Sequence, residues 1–212
     1  MPARDGMRIL VVSFLLAFGL LMMEILARQN WILIIFWAVF LFFLFALWFF
    51  RDPERQIPDG DHLILSPADG RVVAIGELED DFVGRAKRVS IFMSILDVHV
   101  NRIPLSGTVR AITHRPGRFR PAMQPAASFE NENTEITLEN EQTRLKFAQV
   151  AGMLARRIVC RLQVGQSVQA GERFGMIKFG SRVDMTLPET VKLQVRIGDR
   201  VKAGKTVIGE FE

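Results

Sequence analysis

The 212-residue sequence contains a single cysteine, Cys160, which excludes an internal disulfide and agrees with a reducing compartment. Lying between two apolar segments, it reads as a small buried hydrophobe. Histidines number three, His62, His99 and His114, and none is grouped with other donors at metal-ligand spacing, so no metal is expected. A glycine-rich phosphate loop is also missing, which argues against a bound nucleotide. Strong charge of one sign is lacking where it would matter. Arg4, Arg8, Arg28 and Arg51 are four of the 27 cations, and Asp5 and Glu24 two of the 23 anions, so residues 52–212 balance at +2. With no basic cluster interleaved with aromatic platforms, nucleic acid is not an expected partner.

Long hydrophobic runs are present, and both lie near the N-terminus. Trp31 to Phe50 has no charged residue. At about 1.5 Å per residue it spans roughly 30 Å, the thickness of a hydrocarbon core. Trp31 and Trp48 sit near its ends, where amphipathic rings favour the interface. Ile9 to Ala27 carries only Glu24, close to its end, where a charge costs least. The runs therefore read as a membrane anchor over residues 1–50, two transmembrane helices at about 9–27 and 31–50 turning at Arg28-Gln29-Asn30. Arg4 and Arg8 flank one side with Arg51 and Arg55, against Arg28 alone at the turn. The positive-inside bias puts both termini and the following domain on the cytoplasmic face of the cell membrane.

Residues 51–65 hold two prolines, a glycine and many charges, and read as a linker. Beyond it, short Val-, Ile- and Phe-rich runs alternate with Gly, Pro, Asp and Asn: Arg71–Ile75, Arg88–Met93, Gly107–Ile112, Glu135–Glu139, Arg144–Val150, Arg157–Gln163, Met176–Phe179, Val191–Val195 and Thr206–Glu210. That is the punctuation of an antiparallel β domain over residues 66–212, with a short helix expected around Gln149–Ala155. The fold class is mainly β with few short helices, behind a transmembrane α-helical hairpin. Residues 164–172 also echo residues 197–205. Each is a glycine-bracketed turn between apolar residues, similar to the swapped hairpins of barrel-sandwich domains.

Three segments could carry chemistry. Ser66-Pro67-Ala68-Asp69-Gly70 is a turn presenting a carboxylate just before a strand. In Asp97-Val98-His99-Val100-Asn101-Arg102, strand alternation puts Asp97, His99 and Asn101 on one face, opposite Val98 and Val100. A histidine in such company can exchange protons near neutral pH. In Phe174–Asp184 an apolar strand ends at Gly180, and Ser181 then opens onto charged residues. Each segment alone also suits a structural role.

In order and spacing, these segments resemble phosphatidylserine decarboxylase in its short bacterial and archaeal form. The resemblance includes Phe49-Phe50-Arg51-Asp52-Pro53-Glu54-Arg55, Gly152 to Cys160, and Arg173 through Gly180-Ser181. It implies a proenzyme that cuts itself at Gly180–Ser181 into residues 1–180 and 181–212, a heterodimer of large and small chains, with higher oligomers left open. Ser181 Oγ would attack the Gly180 carbonyl, and glycine there removes steric hindrance. β-Elimination and loss of ammonia would turn Ser181 into a pyruvoyl group, the cofactor. That carbonyl would form a Schiff base with the substrate amine and serve as an electron sink while carbon dioxide leaves. Asp69 and His99 match the family's acidic residue and histidine, giving a Ser–His–Asp logic in which His99 is the candidate proton donor to the product.

The resemblance also implies a phospholipid substrate, which explains an anchored enzyme. Arg115, Arg118 and Arg120 are candidates to contact the bilayer or the lipid phosphodiester. Two departures stand out. Longer members carry a second histidine where this chain has Arg102, and a threonine after Gly-Ser where it has Arg182. A rival class, a membrane-fusion adaptor or a lipoyl- or biotinyl-type carrier, uses the same hairpins. A carrier needs its lysine at a hairpin tip, whereas Lys178 lies in an apolar strand and Lys205 past its turn.

Overall fold

The computed structural model describes residues 2–121, 123, 127–152, 157–177 and 181–211. It divides into two compact units, Met1–Pro53 and Glu54–Glu212.

In the first unit, α1 (Met7–Ala27) and α2 (Asn30–Phe49) are joined by Arg28 and Gln29. Arg28 takes the left-handed conformation at φ 49° and donates its N–H to Glu24 O at 2.7 Å, a helix stop that here does without glycine. Leu10, Ser13 and Ala17 are the buried residues of α1, one face with small side chains that permit close approach. Ser13 Oγ donates back to Ile9 O at 2.8 Å, so its hydroxyl is satisfied without water. Most other large side chains, Leu15 and Ile34 among them, are exposed. Helical stretches of 24 and 20 residues, with mean hydropathy 2.6 and 2.9, are long and apolar enough to cross a membrane, which fits membrane association.

The second unit is built from paired antiparallel strands. In chain order they are β1 (Leu63–Leu65), β2 (Gly70–Asp80), β3 (Gly84–Met93), β4 (Val100–Arg102), β5 (Gly107–Arg115), β6 (Asn133–Glu139), β7 (Arg144–Val150), β8 (Ile158–Cys160), β9 (Ser167–Val168), β10 (Arg173–Ile177), β11 (Ser181–Pro188), β12 (Lys192–Leu193), β13 (Arg200–Val201) and β14 (Val207–Glu210); a short helix, α3, covers Ala127–Glu130. The large sheet runs β13-β2-β3-β11-β7-β6-β5-β9, and two small sheets run β1-β14-β12 and β4-β10-β8.

These orders are nearly palindromic, and the register shows why. β2 pairs β3 with a shift between Val72 and Ala74, while β5 pairs β6 with a shift between Val109 and Ala111. The echoed turns close the two halves in the same way. Gly165 N donates to Val109 O and Gly198 N to Val72 O, both at 2.8 Å; Gly171 N donates to Ile103 O and Gly204 N to Ser66 O, also at 2.8 Å. The expected swapped-hairpin architecture is therefore present, as two related halves. Their sequences agree as well: His62, Pro67, Gly70, Val72, Ala74 and Ile75 in the first half align with His99, Pro104, Gly107, Val109, Ala111 and Ile112 in the second.

The core lies on one face of the large sheet, where Val89, Ile91 and Met93 of β3, Val183, Met185 and Leu187 of β11, and Leu145 and Phe147 of β7 are buried. Most of the expected strands are found, several with longer limits. Three findings depart from expectation. Residues after Ser181 do not open onto a polar region; they form β11, buried from Ser181 to Leu187. This is affordable because Arg182 Nε donates to Asp184 Oδ1 at 2.5 Å, so the two charges neutralise each other within one strand face. Gln149 and Val150 end β7 rather than start a helix, and the described short helix is α3. Residues 54–62 belong to the β unit. Glu54 accepts from Arg173 at 2.8 Å, and Ile57 fills the space beside Gly171, where an added Cβ would come within 2.4 Å of it. Residues 153–156, together with Lys178, Phe179 and Gly180, lie outside the described residues, and with them the Gly180 side of the expected cleavage bond.

Candidate active site

Ser181 opens β11 and is fully buried. Antiparallel register sets it opposite Met93 on β3, and its Oγ donates toward Met93 Sδ at 3.4 Å. The same sulfur receives Asn101 Nδ2 at 3.8 Å, and that amide also lies 3.4 Å from Pro67 O. Asn101 Oδ1 in turn accepts Gln149 Nε2 at 2.9 Å. On β7, Gln149 pairs with Val183, which makes it the same-face diagonal neighbour of Ser181. Gly175 makes room for this contact: a Cβ there would lie 3.0 Å from Gln149 Nε2 and 2.1 Å from Val159 O. A buried polar chain thus runs from Ser181 through Met93 and Asn101 to Gln149.

His99 precedes β4 and is also fully buried. Its Nδ1 lies 2.9 Å from Asp97 O. A carbonyl only accepts, so the neutral ring carries its proton on Nδ1 and its basic lone pair on Nε2. The Asp97 carboxylate does not turn toward the ring. It accepts from Ser94 N at 2.8 Å and Ser94 Oγ at 2.7 Å, closing the turn out of β3. Val98 and Val100 are buried too, so the segment has no solvent face. His99 and Asn101 are both buried, while the Asp97 carboxylate is taken up by the turn.

Asp69 is bound elsewhere. Arg55 forms a bidentate pair with it at 2.8 Å on each oxygen, and Ala203 N donates to Oδ1 at 2.9 Å. The carboxylate orients an arginine and a turn, while His99 is oriented by a backbone carbonyl. The matching position in the other half explains the turn contact: Ser106 Oγ accepts Ala170 N at 3.0 Å, as Asp69 accepts Ala203 N. Gly70 shares this corner, since a Cβ on it would meet Phe92 O at 2.1 Å. It stands two strand spacings from Ser181 across β3, about 10 Å.

The departures from the longer members are also accounted for. Arg102 is buried and donates to Gly171 O at 3.0 Å, bracing the other hairpin. Arg182 donates to Asp184 and, through Nη2, to Ser90 Oγ at 2.5 Å, while Ser128 Oγ donates to Asp184 at 2.6 Å. This network faces a polar cavity of about 570 Å³ on the sheet face opposite Ser181. Of the expected lipid-contacting arginines, Arg115 and Arg118 are exposed and Arg120 is half-buried, and all three are paired with carboxylates. Arg115 meets Glu135 at 3.1 Å, Arg118 meets Glu130 at 3.7 Å, and Arg120 meets the same Glu130 at 2.7 Å. Among the described residues no cluster of donors could hold a metal ion.

Titrating groups are also perturbed outside this site, Cys160 and Asp80 among them. Burial pushes the Cys160 thiol above its ordinary 9.0. For Asp80, burial acts upward but is outweighed by the Lys146 ammonium and the Val83 and Phe82 amides, so its carboxyl titrates below its ordinary 3.8.

Sequence reading missed Arg55, Gln149 and Met93 as partners of the expected residues. The signal for the corner was present in the internal repeat, which aligns Asp69 with Ser106 and the exposed His62 with the buried His99.

Fold and site together define a two-half barrel-sandwich domain that follows a membrane-capable helix pair and has a buried serine and a buried histidine. Comparison with known proteins narrows this class. Residues 42–209 match the family described as Phosphatidylserine decarboxylase. A phosphatidylserine decarboxylase proenzyme of Chlorobium phaeovibrioides is 45% identical over 207 residues, 97% of this chain and 94% of the relative. One from Chlorobium chlorochromatii is 53% identical over 185 residues, covering 86% and 85% of the two chains. Another, from Chlorobaculum tepidum, is 48% identical over 170 residues, covering 80% and 79%. The chain belongs to the phosphatidylserine decarboxylase family, a family of carboxy-lyases.

Proposed function

We propose that this protein converts phosphatidylserine to phosphatidylethanolamine and carbon dioxide, after cutting itself between Gly180 and Ser181. The observation that carries the reading is the buried Ser181 at the head of β11, in hydrogen-bond reach of a sulfur that also holds Asn101, in a chain of this family. Residues 1–50 are the anchor and the β unit from Glu54 onward is the catalytic domain, leaving chains 1–180 and 181–212 paired as a heterodimer. The domain works on the cytoplasmic leaflet.

Ser181 Oγ is the nucleophile of self-cleavage, and the pyruvoyl group made from it supplies an electron sink for the carboxylate bond that breaks. A small carbonyl group at residue 181 would have an uncharged donor at hand, because Asn101 Nδ2 stands within 3.8 Å of the sulfur that Ser181 Oγ meets. His99, oriented by Asp97 O, presents Nε2 to take up and return the proton. Asp69 acts through position: with Arg55 and Ala203 it fixes the turn whose Pro67 O holds Asn101 and the Arg102 amide. Arg115, Arg118 and Arg120 are the basic surface offered to anionic lipid or to the phosphodiester.

The test is reconstitution in phosphatidylcholine vesicles containing phosphatidylserine, with lipid mass spectrometry. Wild type should produce phosphatidylethanolamine, Ser181→Ala should stay uncleaved and inactive, and His99→Gln should lose most turnover. A cleaved, folded wild type that leaves phosphatidylserine untouched would reject the reading.

A further inference from the structure

Gln149 is fully buried, and among the described residues its Oε1 has no hydrogen-bond partner, although Nε2 is used twice, toward Asn101 Oδ1 at 2.9 Å and Val159 O at 3.3 Å. The two donated bonds fix the amide orientation, since both acceptors are oxygens that could not accept from Oε1. A buried acceptor left bare is destabilising, so a fold that keeps one has a use for it or tolerates a loss. Its place favours a use. Gln149 is the same-face diagonal neighbour of Ser181 across β7 and β11, a spacing that a long side chain bridges, and Asn101 ties its amide to the Ser181 side of Met93. Among the described residues no cation claims the oxygen: the Arg182 guanidinium projects to the opposite face, toward Asp184 and Ser90.

We propose that Gln149 Oε1 is the acceptor for the substrate's amino group, and so selects a primary-amine headgroup at residue 181. The inference rests on the decarboxylase reading and names the part of the site that reads nitrogen. An uncharged acceptor suits the task, because the amine must lose a proton before it can bond to carbon, and a carboxylate would hold it as ammonium. Gln149 is a positioning residue on this account; it forms and breaks no covalent bond. Its own amide stays fixed by Asn101 and Val159, so the acceptor is in place before the substrate arrives.

The experiment uses the full-length, self-cleaved protein in phosphatidylcholine nanodiscs. Inhibition constants are compared for two lipids with no carboxylate to lose, phosphatidylethanolamine and phosphatidylethanol, which carry aminoethyl and ethyl groups on the same phosphate. Wild type should bind the amine lipid more tightly. Gln149→Met, which keeps side-chain length, should weaken the amine lipid about tenfold, the worth of about 1.4 kcal/mol, and leave phosphatidylethanol unchanged. Gln149→Glu, which restores an acceptor, should recover amine binding and shift the optimum for turnover to higher pH. Equal effects on both lipids, or no effect on either, would overturn the proposal. If Gln149→Met fails to cleave itself, the glutamate variant decides: loss of the preference for the amine lipid, or an unchanged pH profile, would overturn it. A wild type that is cleaved but turns over no phosphatidylserine fails the parent reading instead, whichever lipid it prefers.

Discussion

Replacing Arg55 by methionine isolates the Asp69 corner. Both side chains are nearly buried, at 8% and 11% exposure, and the pair is bidentate. Removing one partner of such a pair strands the other charge, at about 3–5 kcal/mol. For a chain of this size each kcal/mol lowers the melting temperature by roughly 2–4 °C, so the loss is roughly 6–20 °C. The other half of the fold supplies the repair. Ser106 caps Ala170 N without a charge, where Asp69 caps Ala203 N. The double variant Arg55→Met with Asp69→Ser should therefore regain all but about 1 kcal/mol, the residue being the lost Arg55 bond to Ala203 O. Thermal unfolding of the full chain in nanodiscs, in a Ser181→Ala background, measures this. Self-cleavage is read separately with Ser181 present, and it should be slow in the single variant and return in the double one. A double variant as unstable as Arg55→Met would refute the symmetry argument. A stable double variant that never cleaves would refute the positional role and return the carboxylate to the chemistry.

Arg182→Met should destabilise by about 3–5 kcal/mol, because it leaves Asp184 buried with Ser128 as its remaining donor. Arg85→Ala, which breaks an exposed pair with Glu189, should stay within about 0.5 kcal/mol in the same melt. Cys160 should react slowly with iodoacetamide at neutral pH and become fast on unfolding, since burial holds its thiol above 9.0; native labelling at the unfolded rate would contradict its placement. The Asp80–Lys146 pair predicts a direction in acid. A carboxylate whose folded value is depressed adds stability that is present above its unfolded value near 3.8 and fades as pH falls through the lower folded value. Lys146→Met should thus cost stability at pH 6 and converge on wild type toward pH 2, as read in pH-dependent melts.

Much of the fold was legible because period and punctuation are local. The apolar runs became α1 and α2, and the echoed turns became the hairpins that close the two halves. β11 was hidden because Arg182 and Asp184 look like solvent-facing residues, and nothing local says that two charges on one strand face will neutralise each other inside. For the site, Ser181 and Asn101 meet at the Met93 sulfur, and His99 is buried one residue before β4. The partners of Asp69 could not be read, since Arg55 precedes it by 14 residues in a stretch that resembles a linker. Gln149 escaped for a similar reason: only the sheet register puts it beside Ser181.

The account's central claim is that Ser181 becomes the active carbonyl. Intact-mass analysis of the purified chain, before and after treatment with a carbonyl-trapping amine, tests it most directly. The prediction is a fragment of residues 181–212 that lacks its amino group and gains the amine's mass, while Ser181→Ala stays full length. A folded, membrane-bound wild type that remains whole, or a fragment that keeps an ordinary serine amino group, would contradict it.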